Sequence, residues 1–176
     1  MRQEHLAFKI WVQKMMTNDR NLEDEEQRRK DFRDSLLRRN LEHVTELLRS
    51  GIDIDAPLNE CGWTALHFAV ENYYVDLVVF LLKQGANPNR ADFSGTTPLH
   101  LAIDVEADSA SQQAPVDYGK RNIPGREMTV LLLAHGADQN AKTEKGETPM
   151  DWAMQCRHRG AIDALMSYSA PPRNES

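Results

Sequence analysis

Gly62-Trp63-Thr64-Ala65-Leu66-His67-Phe68-Ala69-Val70 opens a stretch that closes on Leu81-Leu82-Lys83-Gln84-Gly85-Ala86-Asn87-Pro88-Asn89. Its front half returns 33 residues later as Gly95-Thr96-Thr97-Pro98-Leu99-His100-Leu101-Ala102. Its back half returns as Leu131-Leu132-Leu133-Ala134-His135-Gly136-Ala137-Asp138-Gln139-Asn140. Another front half starts at Gly146, with Glu147-Thr148-Pro149-Met150-Asp151-Trp152-Ala153. Self-similarity at a fixed period decides the architecture before any local reading. Each unit is too small to bury its own apolar face, so stacked neighbours must share a core.

These residues resemble the ankyrin repeat, whose signature joins Thr-Pro-Leu-His-x-Ala to Leu-Leu-x-x-Gly-Ala-Asp. The resemblance implies an all-α solenoid of about four helix-turn-helix repeats joined by short hairpin loops. It implies function only as a class, which is binding.

The frames divide the chain. Residues 1–27 read as an N-terminal helical cap, 28–170 as the repeat domain and 171–176 as a disordered tail. The repeats run approximately over 28–60, 61–93, 94–145 and 146–170. Within the cap, apolar residues at helical spacing (Leu6, Ala7, Phe8, Ile10, Trp11, Met15) form a broad stripe. Such a helix either covers the open end of the array or binds a partner. The polar run over 17–31 reads as a solvated face. The first repeat lacks Thr-Pro-Leu-His and carries Phe32, Leu36, Leu41, Val44, Leu47 and Leu48 as its core stripe. The step from Gly51 to Gly85 is 34 residues, one over the period, so the first hairpin is expected to be one residue longer.

The third repeat is swollen. Gly95 to Gly146 and Gly85 to Gly136 both span 51 residues, an excess of 18. The two frames together place this 18-residue insertion within 104–125, after the first helix and before the second. Its first half extends the helix by a turn or two, and Pro115, Gly119, Pro124 and Gly125 mark the rest as loop. A long loop in a compact domain is commonly functional. The alternative is an extended helix pair that only packs.

Local chemistry supports these boundaries. Thr64 is placed to cap a helix, and Thr148-Pro149 puts a cap residue and a helix-starting proline in their favoured order. Gly85 stands where a helix end needs a left-handed residue.

No catalytic constellation is legible. His67 and His100 occupy the histidine of the ankyrin signature, where the resemblance implies a hydrogen bond that ties neighbouring repeats. Neither has a Ser or Cys beside it at nucleophile–base spacing. His43, His135 and His158 read as isolated and exposed. Cys61 and Cys156 form no metal-ligand pair, and no His-Glu-x-x-His or glycine-rich phosphate loop occurs. The chain reads as a non-enzyme without metal or cofactor.

Composition narrows the partner. Of 176 residues 40% are hydrophobic and 27% charged, enough for a core, and the formal charge is −6. That balance disfavours nucleic acid, which requires a clustered basic surface. It favours a protein with a basic face. The absence of an apolar signal region or an 18-residue apolar run predicts a cytoplasmic protein with no membrane partner, and a monomer.

Ankyrin arrays bind through hairpin tips and inner helix faces lining a concave groove. Carried over by position, this gives Glu60, Cys61 and Trp63, then Glu71, Asn72, Tyr73 and Tyr74. The third repeat supplies Asp92, Phe93, Ser94 and Thr96, and the insertion's start supplies Asp104, Glu106 and Asp108. The fourth gives Glu144, Lys145, Glu147 and Gln155. Large aromatics at non-core positions are typical anchors, although each also has a neighbouring tip to pack on. The stretch Ala102-Ile103-Asp104-Val105-Glu106-Ala107-Asp108 at the start of a repeat insertion is similar to that of small bacterial ankyrin proteins, some of them immunity proteins. That similarity implies an inhibitor of a toxin. The rival reading is a scaffold that joins partners without inhibiting either.

Overall fold

The computed structural model describes residues 25–111 and 125–168, without the side chains of 108–111. The expected cap helix, the disordered tail and most of the inserted loop fall outside these residues. The described residues are helical with no strand. Helix α1 covers residues 25–37. It is followed by α2 (Leu41–Arg49), α3 (Ala65–Glu71), α4 (Val75–Lys83), α5 (Pro98–Ser111), α6 (Glu127–Ala134), α7 (Pro149–Gln155) and α8 (Arg159–Ser167). They fall into two units that divide after Ile52.

In the first unit α1 and α2 form one antiparallel pair. Phe32, Leu36 and Val44 are fully or almost fully buried, whereas Leu41, Leu47 and Leu48 of the expected stripe are half-buried. Asn40 caps α2 by accepting from the His43 amide. Arg28 donates to the carbonyl and hydroxyl oxygens of Ser50, tying the start of one helix to the end of the other.

In the second unit α3, α5 and α7 form an inner row, and each packs against its own outer helix, α4, α6 or α8. Leu66, Leu77, Leu81, Leu99, Ile103, Met128, Leu132 and Leu133 fill the interior between the rows. The inner helices start on one device. Thr64 and Thr148 lie in extended backbone and accept from the amide three residues on. The residue at that third position answers by accepting from the threonine's own amide, which closes a capping box. In α3 the answering group is His67, and in α7 it is Asp151. The Thr97–His100 pair repeats the return bond at α5.

A backbone bond across its base closes each hairpin between repeats. Asp92 N donates to Thr96 O, and Thr143 N donates to Glu147 O. In the first hairpin the donor and acceptor are Leu58 and Trp63, one residue further apart, as the 34-residue step requires. Successive tips then join edge to edge through Phe93 N to Cys61 O and Glu144 N to Ser94 O, both 2.9 Å.

Candidate functional site

The period places the candidate residues in rows. Glu60, Phe93 and Glu144 are equivalent positions on three successive tips, as are Cys61, Ser94 and Lys145. Glu71, Asp104 and Gln155 are equivalent positions on the inner helices α3, α5 and α7. All nine are exposed. Two stripes of solvent-facing side chains, one on the tips and one on the inner helices, thus run across the repeats.

The tip side chains are held from below. Asn59 Oδ1 accepts from the amides of Cys61 and Trp63. Asp92 Oδ1 does the same for Ser94 and Thr96, each at 2.9 Å. Asp92 is therefore a brace of its tip and half-buried. Phe93 is 65% exposed, yet one edge rests on the backbone of Gly62. A Cβ on Gly62 would lie 2.7 Å from that ring, so the glycine makes room for the aromatic. Trp63 is half-buried, and its ring stacks at 6.4 Å from His67. Glu147 accepts from Trp152 Nε1 and Gln155 Nε2.

At the far end of α3, Asn72 donates from its side chain to Phe68 O and Tyr74 meets Phe68 edge-on. Tyr73 sits in the tight turn with φ +53, and its hydroxyl is buried without a partner among the described residues. Burial raises that phenol well above its ordinary value, with the charges of Glu106 and Glu127 adding to the rise. Tyr73 therefore presents its tip inward, unlike the exposed rows.

His67 and His100 tie repeats together. Thr64 N donates to His67 Nδ1, so the ring proton is on Nε2, which donates to Thr96 O at 3.0 Å. His100 repeats the pattern with Thr97 N and Glu147 O, at 3.3 and 3.2 Å. Both rings are fully buried, and burial lowers their basicity below the ordinary histidine value. Asp151, in the last repeat, keeps the capping half of this role. As a carboxylate it has no ring N–H to pass onward.

Two expectations require correction. Glu106 is not a surface acid: its exposure is 0%. Its Oε1 accepts from the amides of Met128 (2.6 Å) and Thr129 (3.3 Å), and its Oε2 accepts from the Thr129 hydroxyl at 2.6 Å. It caps α6 from within α5. His158 is likewise buried: its Nδ1 accepts from Ala161 N at 2.7 Å and caps α8. The side chain of Asp108 lies outside the described residues. Among the described residues no group of three or more His, Cys, Asp or Glu is placed to hold a metal, and no helix is long and apolar enough to cross a membrane.

Comparison with known proteins agrees with the geometry. Residues 35–111 match the family model of ankyrin repeats (3 copies). A putative ankyrin repeat protein of Rickettsia felis is 36% identical over 121 residues, 58% of this chain and 39% of that protein. A putative ankyrin repeat protein of fowlpox virus is 35% identical over 129 residues, 71% of this chain and 33% of its own length. The ankyrin repeat, SAM and basic leucine zipper domain-containing protein 1 of Dasypus novemcinctus is 30% identical over 145 residues, 82% of this chain and 27% of that protein. The chain therefore spans about two fifths or less of each of these relatives.

Proposed function

Because this chain carries ankyrin repeats, which are protein–protein interaction modules, we propose that it binds one protein partner through the tip and inner-helix rows. The observation that carries this reading is the register of the nine exposed side chains. A row that repeats across three stacked units presents a continuous, solvent-exposed surface. Phe93 is the anchor, helped by the half-buried Trp63 of the preceding repeat. Glu60, Glu71, Asp104 and Glu144 make the rows acidic, which selects a partner with a basic face. Charge of this kind mainly accelerates encounter and sets specificity, while the buried aromatic contact slows dissociation.

The insertion of repeat 3 begins on α5 just beyond Asp104, a member of the inner-helix row. An inhibitor that lays this segment over a partner's active site, as a toxin-neutralising protein would, is the concrete form we favour. A scaffold that joins two proteins is the rival. The protein acts without cofactor, in the cytoplasm and as a monomer.

The variant that separates the two forms replaces residues 112–124 with a short Gly-Ser linker. Residues 104–111 must stay, since Glu106 belongs to the core. Affinity purification from the native cell with intact and shortened chains is then compared. Retention of one basic protein by the intact chain and its loss from the shortened one supports the inhibitor. Equal capture by both favours the scaffold. Capture that survives removal of Phe93 and of the row acids would overturn the site itself.

A further inference from the structure

His67 and His100 mark the side of an inner helix that meets the next repeat, because each ring donates to a carbonyl of the following hairpin, Thr96 O or Glu147 O. Val70 and Ile103 stand three residues further on, on the same side of α3 and α5, and both are fully buried. The equivalent pair in α7 is Asp151 and Met154. Asp151 is exposed, and Met154 is 59% exposed. On the outer helix α8, Met166 is 69% exposed, where Leu82 and Leu133 at the equivalent positions are half-buried and buried. No repeat follows α8 among the described residues. Repeat 4 therefore turns to solvent a side that the repeats before it bury.

The fold itself shows what such a side accepts, since α5 packs on α3 and α7 packs on α5. A helix is the natural cover, and two features narrow its chemistry. The first is methionine. It is unbranched and polarisable, and it adapts to an incoming surface where a β-branched core residue would not. Two exposed methionines also depart from the polar outer face that a terminal repeat needs for solubility. The second feature is the change from histidine to aspartate. Asp151 Oδ2 accepts from the amide (2.8 Å) and the hydroxyl (2.6 Å) of Thr148, and Oδ1 has no hydrogen-bond partner among the described residues. The Thr148 donors, with Lys142 adding less, hold the carboxyl below its ordinary value, so it is charged at neutral pH. A further ankyrin repeat would set a hairpin carbonyl opposite, as Thr96 and Glu147 do, and a carboxylate has no proton to donate to it. A second copy, also of formal charge −6, would bring its own acids to the same place. A cationic side chain finds an acceptor there, beside two methionines. We propose that the α7–α8 end face, through Asp151, Met154 and Met166, docks an amphipathic helix of a partner protein that carries a Lys or Arg beside its apolar stripe. This face shares no residue with the tip and inner-helix rows and stands independently of them.

The test puts the photocrosslinker p-benzoylphenylalanine in place of Met154 in the full chain, irradiates the native cell and sequences the peptide joined to it. The expected peptide belongs to another protein, has apolar residues at i, i+3, i+4 and i+7, and carries a Lys or Arg next to them. A peptide of this chain, a peptide without that pattern, or no joined peptide would overturn the proposal. The joined segment is then synthesised and titrated by fluorescence anisotropy. Met154→Gln/Met166→Gln should weaken it roughly tenfold or more. Asp151→Asn, which keeps an acceptor for Thr148, should weaken it about threefold. Both methionines are exposed, so their double variant should melt like the wild type. Trp63→Ala/Phe93→Ala should leave this affinity unchanged, which separates failure of the end face from failure of the rows. Equal affinity for the wild type and the methionine double variant would refute the proposal.

Discussion

Repeats 2 and 4 turn between their helices in the same way, and repeat 3 does not. Tyr73 and Arg157 take φ +53 and +54, and the next residue donates five positions back, Tyr74 N to Ala69 O and His158 N to Ala153 O. The turn in the first unit, at Arg39, has the same φ and the same bond from Asn40 N to Ser35 O. That closure satisfies the first helix's last carbonyls and aims the second helix within two residues. Repeat 3 replaces it with the insertion. At the equivalent position Glu106 lies within α5, and the N-cap residue of α6, Arg126, makes no side-chain cap bond. The carboxylate of Glu106 takes over, two residues beyond Asp104 and on the opposite side of α5. The difference teaches that a repeat tolerates a long insertion when a buried polar contact replaces the turn it removes.

The comparison breaks first at Glu106. Glu106→Ala leaves two amides and a hydroxyl without an acceptor, and each buried unsatisfied group costs about 1–3 kcal/mol. A loss of roughly 3–5 kcal/mol is expected by denaturant titration. Asn40→Ala, which removes the exposed cap of α2 while leaving its tight turn, should lose only about 1 kcal/mol. Equal losses would mean that α6 is aimed by something other than Glu106.

Next come the histidine ties. His100→Ala removes a buried bond that spans 47 residues and crosses the insertion, and His67→Ala removes one that spans 29. Each should lose about 2–3 kcal/mol, from the unsatisfied partner and the lost packing. Both rings act as neutral imidazoles. Their folded values lie below the unfolded 6.5, so their contribution is full above that pH and is lost as the pH falls from it. The wild type should therefore weaken on the acid side in a way that the double alanine variant does not.

A smaller effect separates two glycines. Gly95 has φ +79, and a Cβ there would lie 2.8 Å from Glu144 N and 2.9 Å from Thr143 Cα. Gly85 has φ +95 with nothing within 4 Å. Both alanine variants bear left-handed strain of about 1–2 kcal/mol. Only Gly95→Ala also pushes two hairpin tips apart, so its loss should be the larger. Smallest, and opposite in sign, is Arg157→Gly. It relieves a left-handed residue in the tight turn and should stabilise by about 0.5 kcal/mol, net of glycine's extra unfolded-state entropy. A destabilisation would show that the Arg157 side chain contributes more than its backbone strain costs.

The period made most of this fold legible. Two overlapping frames place the insertion within 104–125, and one surplus residue predicts the longer hairpin that the Leu58–Trp63 bond closes. Asp151 was legible as a departure from the signature, and the capping box explains why a carboxylate suffices there. Glu106 was not legible, for a geometric reason. Asp104, Glu106 and Asp108 read as one acidic patch, but residues two apart on a helix point to opposite sides. Once α5 continues to Ser111, Asp104 faces solvent and Glu106 faces the core. Its partners lie across the insertion, where no local pattern points. His158 escaped in the same way, because its role depends on the turn before α8. The tip and inner-helix rows were legible because the repeat that builds the core also sets which side chains it leaves outside.

The central claim is that those outer rows, and not the core that carries them, hold the partner. The most direct measurement is the affinity of the captured partner for the wild type and for Trp63→Ala/Phe93→Ala, by isothermal titration beside a thermal melt. The account predicts a loss of at least tenfold, about 1.4 kcal/mol or more, with most of the thermal stability retained. Unchanged affinity in a chain that melts like the wild type would contradict it.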